Sequence, residues 1–275
     1  MGLRIQTNLP SISAQRVLGV QQQRMQHATQ ALASGSRIVS AADDAAGLAI
    51  SENLRGQIRG ISQARNNAFN AGSAIQISEG GLNEVNNVLI RLRELGIQAA
   101  SDTVGEKERT FLNEEAKQLI LEADRIANTT QFGDQKLLDG SGGEMTFHVG
   151  PFAGEENTVS YSLAANARAG ELGIEGLEMT DKESAREVLS VVDEALVKVS
   201  TMRANFGAVQ SRLNATVSNL DIQHENLSAA NSRLRDVDVA KESAEMASAQ
   251  VLQSAAVSVL AQANTFPGMA LKLLG

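Results

Sequence analysis

Three groups of residues in this chain have the types and spacing to do chemistry. They are the adjacent carboxylates Asp43 and Asp44, the three histidines His27, His148 and His224, and the glycines Gly140, Gly142 and Gly143. Paired carboxylates can share a proton or hold a metal when a further ligand stands close by. The nearest histidine, His27, is far off in sequence, and the chain contains no cysteine to complete a ligand cluster. His148 falls on the polar side of a strand pattern, which marks an exposed residue. His224 occupies a helical seam position together with Asn231, where a polar residue sets register more often than it performs chemistry. The three glycines precede no helix that opens with a phosphate-binding lysine. No catalytic, cofactor or metal site is expected.

What positions Asp43 and Asp44 is a joint between helices. Gly35 is a stop, since glycine tolerates the left-handed conformation that closes a helix. Ser40, Asp43 and Asp44 are start signals, whose short side-chain oxygens accept from the free N–H groups of a new first turn. Arg37 stands between the stop and the start.

The 275 residues are 43% hydrophobic but only 3% aromatic, with no Trp and one Tyr. Ala, Leu, Ile and Val suit thin helix–helix seams better than the thick core of a compact enzyme. A net charge of −8 argues against a nucleic-acid partner, because phosphate neutralisation needs a basic face. Zero cysteines excludes a disulfide scaffold. No apolar run is long enough to span a bilayer, and the first residues lack a secretory signal, so either cytoplasmic residence or export without a cleaved signal is expected.

Apolar residues recur at intervals of seven along most of the chain. Ile5 and Ile12 form one pair, and Leu18, Met25, Leu32 and Val39 a series. Leu54, Ile61, Ala68, Ile75, Leu82 and Leu89 follow, joined at the end by Val85 and Leu92. A further helix over about Glu106 to Thr129 carries Leu112, Leu119 and Ile126. The longest series runs Val199, Phe206, Leu213, Leu220, Leu227, Leu234 after a capping-box pattern at Thr180 to Glu183. After the acidic break Arg235-Asp236-Val237-Asp238 it resumes, one stutter out of phase, as Leu252, Val259, Phe266, Leu273. Pro267 and Gly268 are expected to end that last helix.

Between Phe132 and Thr180 the period drops to two. Met145, Phe147 and Val149 alternate with polar residues, as do Val159, Tyr161 and Leu163, predicting a β-hairpin with Gly150 to Asn157 as its turn. The fold class expected is mainly α, an elongated antiparallel coiled-coil or helical hairpin with a small β-hairpin insert at its tip. The expected divisions are 1–43, 44–135, 136–179 for the insert, 180–235 for the return helix, and 236–275. The two terminal segments bury only one stripe against each other, which suggests ends that order on assembly into a polymer. A membrane-surface role is the weaker reading, because Lys241 to Gly275 holds only two lysines.

Several longer motifs carry a resemblance. Ser34-Gly35-Ser36-Arg37-Ile38 through Asp43-Asp44-Ala45-Ala46-Gly47-Leu48-Ala49-Ile50, and Glu79-Gly80-Gly81-Leu82-Asn83-Glu84-Val85 leading to Leu92-Arg93-Glu94-Leu95, resemble the N-terminal signature of bacterial flagellins. Ser232-Arg233-Leu234-Arg235-Asp236-Val237-Asp238 and Ser258 to Asn264 resemble the C-terminal one. The likeness covers about residues 1–135 and 180–275, with departures at Thr265 to Met269 and at Gly275.

The resemblance implies a structural, non-enzymatic subunit of the extracellular flagellar filament. Its ends would build an inner tube, its long helices an outer one, and Arg37, Asp43, Asp44, Leu252 and Val259 become candidate subunit contacts. It also implies the flagellar type III export apparatus, an export chaperone on the C-terminal segment, and the filament cap and hook-junction proteins as partners. A hook–filament junction protein is the alternative. The zinc protease carried by some members is not expected, since no His-Glu-x-x-His occurs. Family members seen by the vertebrate Toll-like flagellin receptor use residues that match Arg91, Leu95 and Glu115, although Ile90 and Gly96 differ from the usual pattern.

Overall fold

The computed structural model describes residues 7–162 and 165–272. Their elements in chain order are α1 (Leu9–Ser34), α2 (Ala45–Ala99), α3 (Glu106–Thr129), β1 (Gln131–Phe132), β2 (Gln135–Lys136), β3 (Glu144–His148), β4 (Thr158–Ser162), α4 (Ala169–Leu172), α5 (Lys182–Arg235) and α6 (Val239–Lys272). The chain divides into two compact units, Met1–Gly56 with Asn226–Gly275, and Gln57–Glu225. The division falls inside α2 and inside α5.

In the Gln57–Glu225 unit the heptad series become the core. Ile75, Leu82, Leu89 and Leu92 of α2 and Val199, Phe206 and Leu213 of α5 are buried. Arg93 Nε donates to Asp193 Oδ1 at 2.7 Å, and Arg65 Nη1 to Asp221 Oδ1 at 3.0 Å. As one helix ascends in number the other descends, so α2 and α5 run antiparallel. Helix α3 packs through small residues: Ala116, Ala123 and Ala127 are buried, while the predicted series Leu112, Leu119 and Ile126 is half-buried at the flanks. Arg109 bonds the carbonyls of Ala99 and Ser101, occupying acceptors that the end of α2 leaves open.

The predicted hairpin forms, with Met145 opposite Tyr161 and Phe147 opposite Val159. Its turn holds a 3-10 segment at Glu155–Asn157 and closes on Val149 N–H to the Asn157 carbonyl. The hairpin lies along the helices. Asn67 Nδ2 donates to the His148 carbonyl, and the Tyr161 ring meets Phe206 with centroids 5.3 Å apart. The end of α2 faces the start of α5 instead, where Lys182 Nζ binds Asp102 at 2.6 Å. Leu163 lies outside the described residues.

Two small elements had no signal at sequence level. The β1–β2 pair turns through Gly133 at φ 61°, and α4 is four residues closed by Gly173 at φ 83°. The cap of α5 is displaced by one from the expected box: Ser184, not Glu183, makes the reciprocal bond, its hydroxyl accepting from Asp181 N–H.

The other unit pairs α1 with α6, also antiparallel. Asn8 meets Ala263 at one end and Thr29 meets Met246 further along. The buried series is Ala249, Ala256 and Ala263 on α6, facing Ala14, Gln21 and Ala28 on α1, each again spaced by seven. Leu252 and Val259, which carry the series of sevens on α6, stand on the outside. Alanine wins the seam because a side chain of one carbon lets two helix backbones approach closely. Helix α6 also runs through Pro267 to Lys272 rather than ending there. A proline costs a helix one donor, and that loss is offset here, as shown below. Ile5 and Leu273 lie outside the described residues, as does the side chain of Phe266.

Candidate assembly surface

The joint is built as its residue types require. Gly35 closes α1 at φ 68°. Asp43 Oδ2 accepts from the N–H groups of Val39 (3.1 Å) and Ser40 (2.8 Å), making the tight turn between helices. Asp44 Oδ1 accepts from Gly47 N–H at 2.8 Å and caps α2. The second joint works the same way, Asp238 Oδ1 taking the N–H groups of Ala240 and Lys241 at the start of α6.

The two joints also bind each other. Arg37 N–H donates to the Arg235 carbonyl at 2.6 Å and Val237 N–H to the Gly35 carbonyl at 3.1 Å, an antiparallel bridge of Ser36 with Asp236. Arg37 Nη2 reaches the Leu234 carbonyl at 2.9 Å and lies 3.9 Å from Asp44. Arg235 pairs with Glu52 at 2.6 Å, and that guanidinium above all holds the Glu52 carboxyl below the ordinary range. Nothing in the sequence signals this pairing, since either joint is self-sufficient by its own caps.

His27, discounted as too distant, is brought to the first joint. Its Nε2 lies 3.3 Å from Asp43 Oδ1 and its Nδ1 lies 3.8 Å from Glu242. The Ser40 N–H above all, with lesser help from the Val39 N–H and the imidazole, holds the Asp43 carboxyl below its ordinary value against the opposing effect of desolvation. No group of three or more ligating side chains able to hold a metal occurs among the described residues.

The other predicted residues separate into two kinds. Leu252 and Val259 are 47% and 54% exposed on α6, and Leu9, Ile12, Val17 and Val20 are exposed on α1. Arg91 and Glu115 form an exposed ion pair at 2.7 Å, with Glu94 as a second partner of the arginine. Leu95 is fully buried in the core, so the expectation of a surface contact through Leu95 is corrected: its side chain packs inward on the face of α2 that meets the other helices.

Capped antiparallel helices, a joint tied to a joint and uncovered apolar rows define a structural helical protein. The family described as bacterial flagellin N-terminal helical region matches residues 5–142, and that described as bacterial flagellin C-terminal helical region matches 189–274. The chain belongs to the bacterial flagellin family. It is 43% identical over 275 residues to a flagellin of Halalkalibacterium halodurans, covering 98% of this chain and 99% of that one. It is 38% identical over 282 residues to the flagellar filament 30.7 kDa core protein of Treponema maltophilum, with the same coverage. The crystal structure of Bacillus cereus flagellin superposes with a TM-score of 0.51 at 27% identity, covering 60% of this chain and 94% of that one. This chain is a flagellar filament subunit. No described helix is long and apolar enough to cross a membrane.

Proposed function

We propose that the outward rows of α1 and α6 are the surfaces through which copies of this chain pack in the filament, and that both ends order as those rows are buried. The single observation carrying this is the inversion of the α6 seam. Its alanines face α1, while Leu252 and Val259, larger and also spaced by seven, face outward. Each such side chain, already about half buried, gains roughly 0.7–1.5 kcal/mol more when fully covered, and repeating the contact in every subunit favours the polymer. Arg37, Asp43 and Asp44 act first within the chain, as caps and ties, and offer their remaining exposed oxygens and nitrogens to neighbours. Family membership supports delivery by the flagellar export apparatus, with a chaperone holding the C-terminal segment and the cap and hook-junction proteins bounding the filament. The hook–filament junction reading has no better support, since the two relatives named above match along their whole length as a flagellin and a filament core protein.

The test replaces Leu252 and Val259 together by glutamate in the full chain. The expected result is loss of filaments by electron microscopy, with the thermal unfolding of the Gln57–Glu225 unit unchanged. Filaments of normal abundance from the double variant would overturn the reading.

A further inference from the structure

A seam of alanines has a weakness as a specifying device. Ala249, Ala256 and Ala263 on α6 repeat every seven residues, and Ala14 and Ala28 on α1 stand two heptads apart with Gln21 between them, whose buried Oε1 finds no partner that would fix the present register. Sliding α1 by one heptad would set alanine against alanine again. Register in such seams is set by a polar residue whose partner occurs once.

Asn8 is placed to be that residue. Its Oδ1 caps α1 by accepting from Ser11 N–H at 3.1 Å, and its Nδ2 donates to the Ala263 carbonyl at 2.8 Å. In an α-helix that carbonyl belongs to the N–H four residues on, which is residue 267. Residue 267 is proline, with no N–H to give, and α6 continues past it to Lys272. Ala263 is only 3% exposed, so water is poorly placed to fill the gap. Ser11 Oγ donates to Asn264 Oδ1 at 2.9 Å beside it. Pro267 is the only proline in α6, so it frees one interior carbonyl in that helix and no other. We propose that Asn8 sets the register of α1 on α6 by donating to the one interior carbonyl that Pro267 leaves unpaired. The assignment concerns how the two ends of one chain pair, which is separate from how copies pack.

The chain has no cysteine, so introduced pairs report cleanly. Thr29 and Met246 touch in the present register, and a shift of one heptad would bring Thr29 to Gln253. The experiment compares disulfide yield in sedimented filaments of the full chain for Thr29→Cys with Met246→Cys and for Thr29→Cys with Gln253→Cys. The native background is expected to cross-link the first pair and scarcely the second. Asn8→Ser keeps a cap but loses the reach, and should raise the shifted yield about fivefold, the effect of one lost hydrogen bond. Pro267→Ala restores the N–H to the helix and should raise the shifted yield likewise, and adding Asn8→Ser to it should change nothing further. Equal shifted yields in native and Asn8→Ser filaments would overturn the proposal, as would an Asn8→Ser effect of the same size in both backgrounds. Should the cysteine pairs hinder assembly, the same four-way comparison of Asn8→Ser and Pro267→Ala by filament melting temperature decides it. Non-additivity supports the proposal and additivity refutes it.

Discussion

The imidazole Nε2 of His27, late in α1, lies 3.3 Å from Oδ1 of Asp43, in the turn that leads to α2. One carboxylate therefore ties its own turn through Oδ2 and the preceding helix through Oδ1.

That arrangement has a pH sign. The Asp43 carboxyl, held down first by the Ser40 N–H, titrates at lower pH folded than unfolded. Its contribution is present above the ordinary carboxylate range and is lost as pH falls through the lower, folded-state value. Amide exchange of Val39 and Ser40 should stay slow until pH falls through that lowered folded-state value. Asp43→Ala should bring fast exchange at neutral pH, and protected amides in that variant would contradict the assignment.

Tyr161 has the opposite sense. Burial alone pushes its phenol far above the usual value. A raised folded-state value means full stability below the unfolded phenol range, declining as pH rises toward the folded-state value. As the chain's one tyrosine, it gives an unmixed ultraviolet signal. Phenolate absorbance should appear only with unfolding of the hairpin from Phe206, and a reversible titration near pH 10 in the folded protein would show the ring to be exposed.

Gly80 and Gly81, neighbours in the interior of α2, should respond oppositely to the same change. A Cβ on Gly80 meets nothing, so Gly80→Ala should stabilise by about 0.5–1 kcal/mol through helix propensity. A Cβ on Gly81 would come within 2.7 Å of Leu138 Cδ1 and Thr130 Oγ1, so Gly81→Ala should destabilise by about 1–3 kcal/mol. Denaturant titration of the two variants checks both signs at once.

Arg91→Ala removes an exposed pair with Glu115 and Glu94. The thermal midpoint should scarcely move, as solvent-exposed pairs add little. A receptor-reporter assay on the monomer then isolates any recognition role of Arg91, and an unchanged response would remove that role.

The long helices and the hairpin were legible because their apolar residues are large and their burial is local to one face. The joint was legible from Gly35, Asp43 and Asp44, whose roles are set within a few residues. At α6 the series of large residues, Leu252 and Val259, was legible, but the alanines that face α1 were not, since alanine carries little signal of its own. The Asn8–Ala263 bond and the His27–Asp43 contact had no local signal at all. Each joins residues whose side chains would be unremarked in their own helices, and only the return of the chain brings them together. Leu95 stands outside the series of sevens, three residues after Leu92, so its burial had no signal in that pattern.

The bridge between the joints also orders events in time. Residues 35–37 cannot bond 235–237 until nearly the whole chain has been made, and Asn8 waits still longer for Ala263. Everything that Gln57–Glu225 needs lies between those points, so that unit can close while α1 still lacks a partner. Helices α1 and α6 are thus the last to find a partner, and what each then buries depends on the return of the other.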